Sequence, residues 1–124
     1  AELAVKKGGV VILVTSCPEG ISVSHPEVLE WGYQTFEEVD QKVRRGAIKK
    51  LTAAAHLVHV GRVIKERAKG ILVSHGISKE ESERLGFIYA RDPQEALDIA
   101  FSHLSRDAKV AILQRGGEIL PVIK

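Results

Sequence analysis

The residues of this chain with the types and spacing for chemistry fall into two groups. Ser16-Cys17-Pro18-Glu19-Gly20 follows the apolar run from Gly9 to Ser16, and Ser74-His75 lies at the end of a second such run, Gly70 to Gly76. If both runs are strands of one parallel sheet, these residues gather at its C-terminal edge, where open α/β sheets bind small ligands. Ser16, Cys17, Glu19, Gly20 and His75 are therefore cleft candidates: hydroxyl, carboxylate and imidazole groups suit hydrogen bonding to a small polar molecule. The Pro-Glu-Gly stretch reads equally well as a plain reversal of the chain. No basic residue adjoins Cys17 in sequence, which argues against an activated thiolate nucleophile. The second group is His56 and His59, three apart in a helical pattern, so both can point towards one site. A metal would need a third ligand, from His25 or His75. The simpler reading carries more weight: His56 shares a face with Val60 and Val63 as a partly buried, hydrogen-bonded side chain.

Other chemistries are argued against. Lys6-Lys7-Gly8-Gly9 precedes a strand, whereas phosphate-binding glycines lie between a strand and the following helix. No Gly-x-Ser-x-Gly elbow is present. The 124 residues carry a net charge of +2 with acids and bases interspersed, so no basic stripe suggests nucleic acid as a partner. Cys17 is the single cysteine, which excludes an internal disulfide and a Cys-rich zinc site. No apolar run approaches the roughly 18 residues of a membrane helix. A cytoplasmic protein of one domain, residues 1–124, is expected, with neither nucleic acid nor membrane as partner.

The elements that must position these residues follow from pattern. "GVVILVTS" and "GILVSHG" are continuous β-branched runs without alternation, as in strands buried on both faces of a parallel sheet. "FIYA" (Phe87 to Ala90) and "KVAIL" (Lys109 to Leu113) are shorter versions, and "EILPVIK" after Gly116-Gly117 reads as a last edge strand. Ser78-Lys79-Glu80-Glu81 is a capping box, and Asp92-Pro93-Gln94-Glu95 is a stronger helix start. From the second start Ala96, Leu97, Ala100, Phe101 and Leu104 form one stripe. Helices are also expected over "FEEVDQKVRRG" and "LTAAAHLVHVGRVIKERA", with a short one from Pro26. The alternation predicts an α/β fold: a mostly parallel sheet of four to five strands with helices on both faces, a Rossmann-like three-layer sandwich. Residues 1–9 read as the end of a helix, with basic residues followed by glycine.

Four segments, "VKKGGVVILVTSCPEGIS", "RRGAIKKLTAAAHLVHVGRVIKERAKGILVS", "ERLGFIYARDPQEALDIAFSHL" and "AKVAILQRGGEILPVIK", are spread along the chain from Val5 to Lys124. In that order they resemble the C-terminal lobe of nickel-dependent lactate racemases and related 2-hydroxy acid racemases. The resemblance implies a two-lobed enzyme. Its N-terminal lobe would hold a nickel-pincer nucleotide through a covalent Lys and a nickel-binding His, and would supply a His pair that exchanges the hydroxyl proton. Hydride would pass reversibly from the substrate Cα to the pincer, while the C-terminal lobe closes over the site. Those cofactor and acid/base groups are not in this chain, so no cofactor, metal ligand or catalytic residue is assigned to it. The family's Tyr-Gln-x-x-Lys helix segment should lie just before Ala1. Tyr33-Gln34 lacks the following Lys, and the role is not carried to it. The loop Ser16 to Gly20 matches the family's Cys-x-x-Gly loop, and His56 is the nearest match to a His or Trp that approaches the substrate.

The implied reading is an excised lobe, inactive alone, whose partners are its N-terminal lobe and a small 2-hydroxy acid. It would be prone to self-association through the face it normally buries. A different class remains open from the residues alone: a free-standing α/β module that binds a small ligand or a protein.

Overall fold

β1 (Val10–Val14), β2 (Lys69–Val73) and β3 (Ile88–Ala90) pair in parallel in the order β1-β2-β3. The computed structural model describes residues 2–122. Between β1 and β2 run α1 (Pro26–Trp31), α2 (Phe36–Arg44) and α3 (Leu51–Gly61), the last widening into π-helical turns over Arg62–Arg67. α4 (Lys79–Leu85) joins β2 to β3, and α5 (Pro93–His103) follows β3.

β2 is the centre. Its Leu72 faces a core made with Val28 of α1, Val39 of α2, Leu57 of α3 and Leu85 of α4. Ile71 and Val73 point to the other face, against Ala90 and the Ala96 and Ala100 of α5. Helices thus cover both faces of a parallel sheet, and an unalternating Ile-Leu-Val run is what that burial requires. The helix starts are built as their sequences dictate. Ser78 Oγ accepts from the Glu81 amide at 3.2 Å, and Glu81 Oε2 accepts from the Ser78 amide at 2.8 Å. Thr35 and Glu38 make the same reciprocal pair at α2, and Asp92 Oδ1 caps α5 through the Glu95 amide at 2.8 Å.

The structure departs from the sequence expectation at several places. The described residues form three strands, where four to five were expected. Lys109–Leu113 is unpaired coil, and the described part of "EILPVIK" is a short 3₁₀ turn ending at Glu118 followed by coil with Ile119, Leu120 and Val122 exposed; residues 123 and 124 lie outside the described residues. β1 is consequently at the sheet edge, with Leu13 46% and Val14 58% exposed, although its composition matches that of a central strand. In the α5 stripe, Ala96 and Ala100 are buried, but Leu97, Phe101 and Leu104 are only half-buried. Residues 2–4 form a turn rather than the end of a helix, and Ala1 lies outside the described residues.

Two outcomes follow. Leu57 is fully buried at the junction of α3 with the sheet. Leu57→Ala is expected to lower stability by about 2–5 kcal/mol in denaturant unfolding, through lost transfer energy plus the cavity left behind. The backbone amides of Thr35 and Ser78 hold the Glu38 and Glu81 carboxyls below the ordinary carboxylate value. A depressed carboxyl contributes stability that is fully present above its unfolded pKa and lost as pH falls through the folded one. Stability should therefore decline as pH drops below about 4.5. Glu38→Gln with Glu81→Gln should make that decline shallower, as followed by circular dichroism in denaturant at pH 7 and pH 3.

Candidate functional site

Because the strands are parallel, their C-terminal ends share one edge, and the segments leaving β1 and β2 meet there. Thr15 extends the ladder by one bond, its amide donating to the Val73 carbonyl at 3.0 Å. The Ser16 carbonyl then accepts from the Gly76 amide at 3.0 Å and from the Ser74 hydroxyl at 3.2 Å. Ser16 thus holds the two loops together through its backbone, and its residue surface is exposed. Cys17 takes a left-handed conformation at φ +41°, and the turn closes with the Gly20 amide donating to the Cys17 carbonyl at 2.9 Å. A Cβ at Gly76 would overlap the Cys17 carbonyl oxygen, so this clasp requires glycine. Positive φ at a non-glycine residue stores strain, and here the clasp over-determines it.

The Cys17 side chain is half-buried against the larger core, with Sγ 3.5 Å from Thr15 Oγ1. Tyr33 shares this neighbourhood. Burial first, and the nearness of the Cys17 sulfur second, push its phenol above the ordinary value. Tyr33 is pinned from both sides: its amide donates to the Leu85 carbonyl at 3.1 Å, and the next amide, of Gln34, reaches the Leu57 carbonyl at 3.4 Å. Gln34 lies directly on Gly61, where any Cβ would overlap the Gln34 carbonyl. Rings continue outward from Tyr33. Its centroid lies 5.9 Å from His56, and His56 stacks on His25 at 5.9 Å with an 11° interplanar angle. On the inner side Tyr33 meets Phe87 edge-on at 6.0 Å.

The structure therefore brings Ser16, Cys17, Glu19 and Gly20 together in one loop and sets the His75 loop against it through Gly76. His56 joins through Tyr33, and its exposed ring is stacked, in place of the partly buried, hydrogen-bonded state expected for it. Glu19 and His75 are exposed. His56 and His59 do not serve one site. His59 lines a separate groove of about 330 Å³ between α2 and α3, with Phe36, Val39, Val43, Leu51 and Val58. Among the described residues no three His, Cys, Asp or Glu side chains converge as a metal ion would need. In the sequence, Tyr33 was passed over because Tyr33-Gln34 lacks the following Lys, and His25 entered only as a possible metal ligand. The glycine at 61, placed mid-helix, was the available sign that something packs closely there.

The chain matches the family model described as the lactate racemase C-terminal domain over residues 1–120. It is similar in structure to the lactate racemase apoprotein from Thermoanaerobacterium thermosaccharolyticum, with a TM-score of 0.66 and 27% identity, over 86% of this chain and 25% of that one. The chain thus spans about a quarter of that protein's length. No curated protein matches the sequence.

The clasp makes its own prediction. Gly76→Ala should force the two loops apart, lowering stability by roughly 2 kcal/mol and speeding the reaction of Cys17 with a thiol reagent. His75→Ala, at an exposed neighbouring position, should leave both within error.

Proposed function

Because the chain belongs to the lactate racemase C-terminal domain family, we propose that it is the substrate-closing lobe of a racemase or epimerase acting on a 2-hydroxy acid such as lactate. The single observation that carries this reading is the family match across residues 1–120, in a chain whose polar groups collect at one sheet edge. His56 and His25 offer ring nitrogens, Tyr33 a phenol held in its protonated form, and the Ser16–Gly20 loop a hydroxyl and a carboxylate. Such groups suit the hydroxyl and carboxylate of a 2-hydroxy acid. In this reading they bind and orient the substrate and exclude water as the lobe closes.

Reversible hydride transfer, with a nickel-pincer nucleotide as its cofactor, is proposed for the whole enzyme and for its N-terminal lobe. The described residues do not fit a nickel centre of their own, since no three donor side chains converge among them. The N-terminal lobe is the proposed partner of this domain. The apolar rim of the α2–α3 groove, with Phe36 65% and Leu51 70% exposed, supports self-association of the domain when that partner is missing. No helix among the described residues is long and apolar enough to cross a membrane; a cytoplasmic location is part of the same proposal. So is a sheet of four to five strands, drawing on the apolar segments beyond α5.

The test is interconversion of D- and L-lactate. The 124-residue chain alone should give no turnover with nickel and cofactor present, and the two-lobed enzyme should turn over. Substantial racemisation by this chain alone overturns the division of labour. In the two-lobed enzyme His56→Ala should lower kcat/KM by about tenfold or more, equivalent to about 1.4 kcal/mol of transition-state stabilisation. His59→Ala should leave it within twofold.

A further inference from the structure

The free edge of β1 and the unpaired segment after α5 belong together by topology. β1 to β2 and β2 to β3 both cross over on the Leu72 face, through α1–α3 and α4, and both steps move the same way across the sheet. α5 lies on the opposite face, against Ile71 and Val73, and contacts all three strands. A right-handed crossover on that face must step back in the other direction. The positions at β2 and β1 are filled, so the next parallel strand has one place to go, beyond β1.

The chain beyond α5 fits that place. Lys109–Leu113 is a β-branched and apolar run with Val110 56% and Ile112 85% exposed, and among the described residues it makes no backbone bond to the sheet. Both of its flanks lie at the end where the strands begin. His103, at the end of α5, reaches Lys69 at the start of β2 with 3.3 Å between Nδ1 and Nζ. Leu120, Pro121 and Val122 lie against Leu3, in the turn that precedes β1. The excursion between these flanks therefore leaves and returns at the same end. Five residues of strand rise about 16 Å, which matches the five residues of β1. The turn after Leu113 would then arrive level with the Ser16–Gly20 loop.

We propose that Lys109–Leu113 forms a fourth parallel strand on the free edge of β1, and that its following turn, Gln114–Gly117, carries Arg115 to the Ser16–Gly20 loop as the cation for the substrate carboxylate. The ligand part rests on the racemase reading above; the strand part does not. β1 and the fourth strand then flank the point where crossovers reverse direction, the place where parallel sheets open a ligand crevice. Arg115 can move there: it is exposed, and its one ion pair among the described residues, to Glu118, is long at 3.9 Å.

Bond directions make the strand testable. Thr15 donates to Val73 and the Gly9 carbonyl accepts from Lys69, so odd-numbered β1 residues face β2, and the amides of Val10, Ile12 and Val14 face the free edge. Hydrogen exchange on the 124-residue chain should show these three amides protected, together with alternate amides of Lys109–Leu113. Proline at Ala111 or at Ile112 removes the donor in one or the other register, so one of these variants should release the β1 amides. Unprotected amides, or protection that neither variant changes, overturn the strand. Protection that appears only as the chain dimerises puts a second copy on that edge and overturns it too. A nitroxide at Glu19→Cys, in a Cys17→Ser background, should broaden the Gln114–Gly117 amides, and unbroadened signals refute the delivery of Arg115. In the two-lobed enzyme Arg115→Gln should raise KM for lactate about tenfold with kcat within twofold, and Arg115→Lys should recover part of the loss. An unchanged KM refutes the carboxylate role. Failure of the racemase reading would show as no turnover by the unaltered enzyme, with the exchange pattern intact.

Discussion

The rest of this fold depends on the burial of β2 from four sides. Its five residues pair in parallel with β1 on one edge and β3 on the other. Leu72 faces one helical layer and Ile71 and Val73 face the second. A strand in that position cannot slip. A one-residue shift would exchange the two faces and also break the ladder to both neighbours. Fixing β2 fixes where it ends, and so where Ser74, His75 and Gly76 emerge. The parallel sense then places the exit of β1 beside them, and the loop clasp through the Ser16 carbonyl follows with two short bonds.

The elements with strong local signals were legible in the sequence. The Ser78 and Asp92 starts, the β2 run and the two long helices of the crossover all depend on residues within a few positions of each other. β1 was misread in its environment for a physical reason. "VVILV" specifies a strand and apolar surroundings, but nothing in it says whether its second edge is occupied, which depends on chain distant in sequence. The widening of α3 over Arg62–Arg67 also has no local signature. The stripe of α5 was half right because the face that packs on Ile71, Val73 and Ala90 is made by Ala96, Ala100 and, in part, Ile99. Leu97, Phe101 and Leu104 are outside that core and half-buried.

The candidate site was legible where it is carried by strand ends and hidden where it is carried by contacts distant in sequence. Ser16 to Gly20 and His75 follow from parallel-sheet logic alone. Tyr33 and His25 do not, because Tyr33 is set by the Gln34 backbone resting on Gly61 and by Leu85, residues 27 and 52 positions away. His56 shows the difference between a face and a location. Its helical spacing with His59 was read correctly as proximity along a helix. The neighbouring elements still divide the two, one turning to His25 and Tyr33 and the other to α2.

That division bears on how the site could act. Glu19, His56 and His75 are exposed, and a polar contact made in water has to compete with the solvent it displaces, so each is weak while this edge is open. The parts that hold them are not weak. Cys17 is kept in a left-handed conformation by a clasp that tolerates no side chain at Gly76, and Tyr33 is fixed through its backbone on two sides. A rigid frame that presents polar groups to solvent pays its ordering cost during folding, before any ligand arrives. When a second surface covers the edge, the local dielectric falls and every one of those contacts strengthens together without further reorganisation. A site built this way would bind its ligand only on closure, which is the behaviour that the proposed substrate-closing role requires.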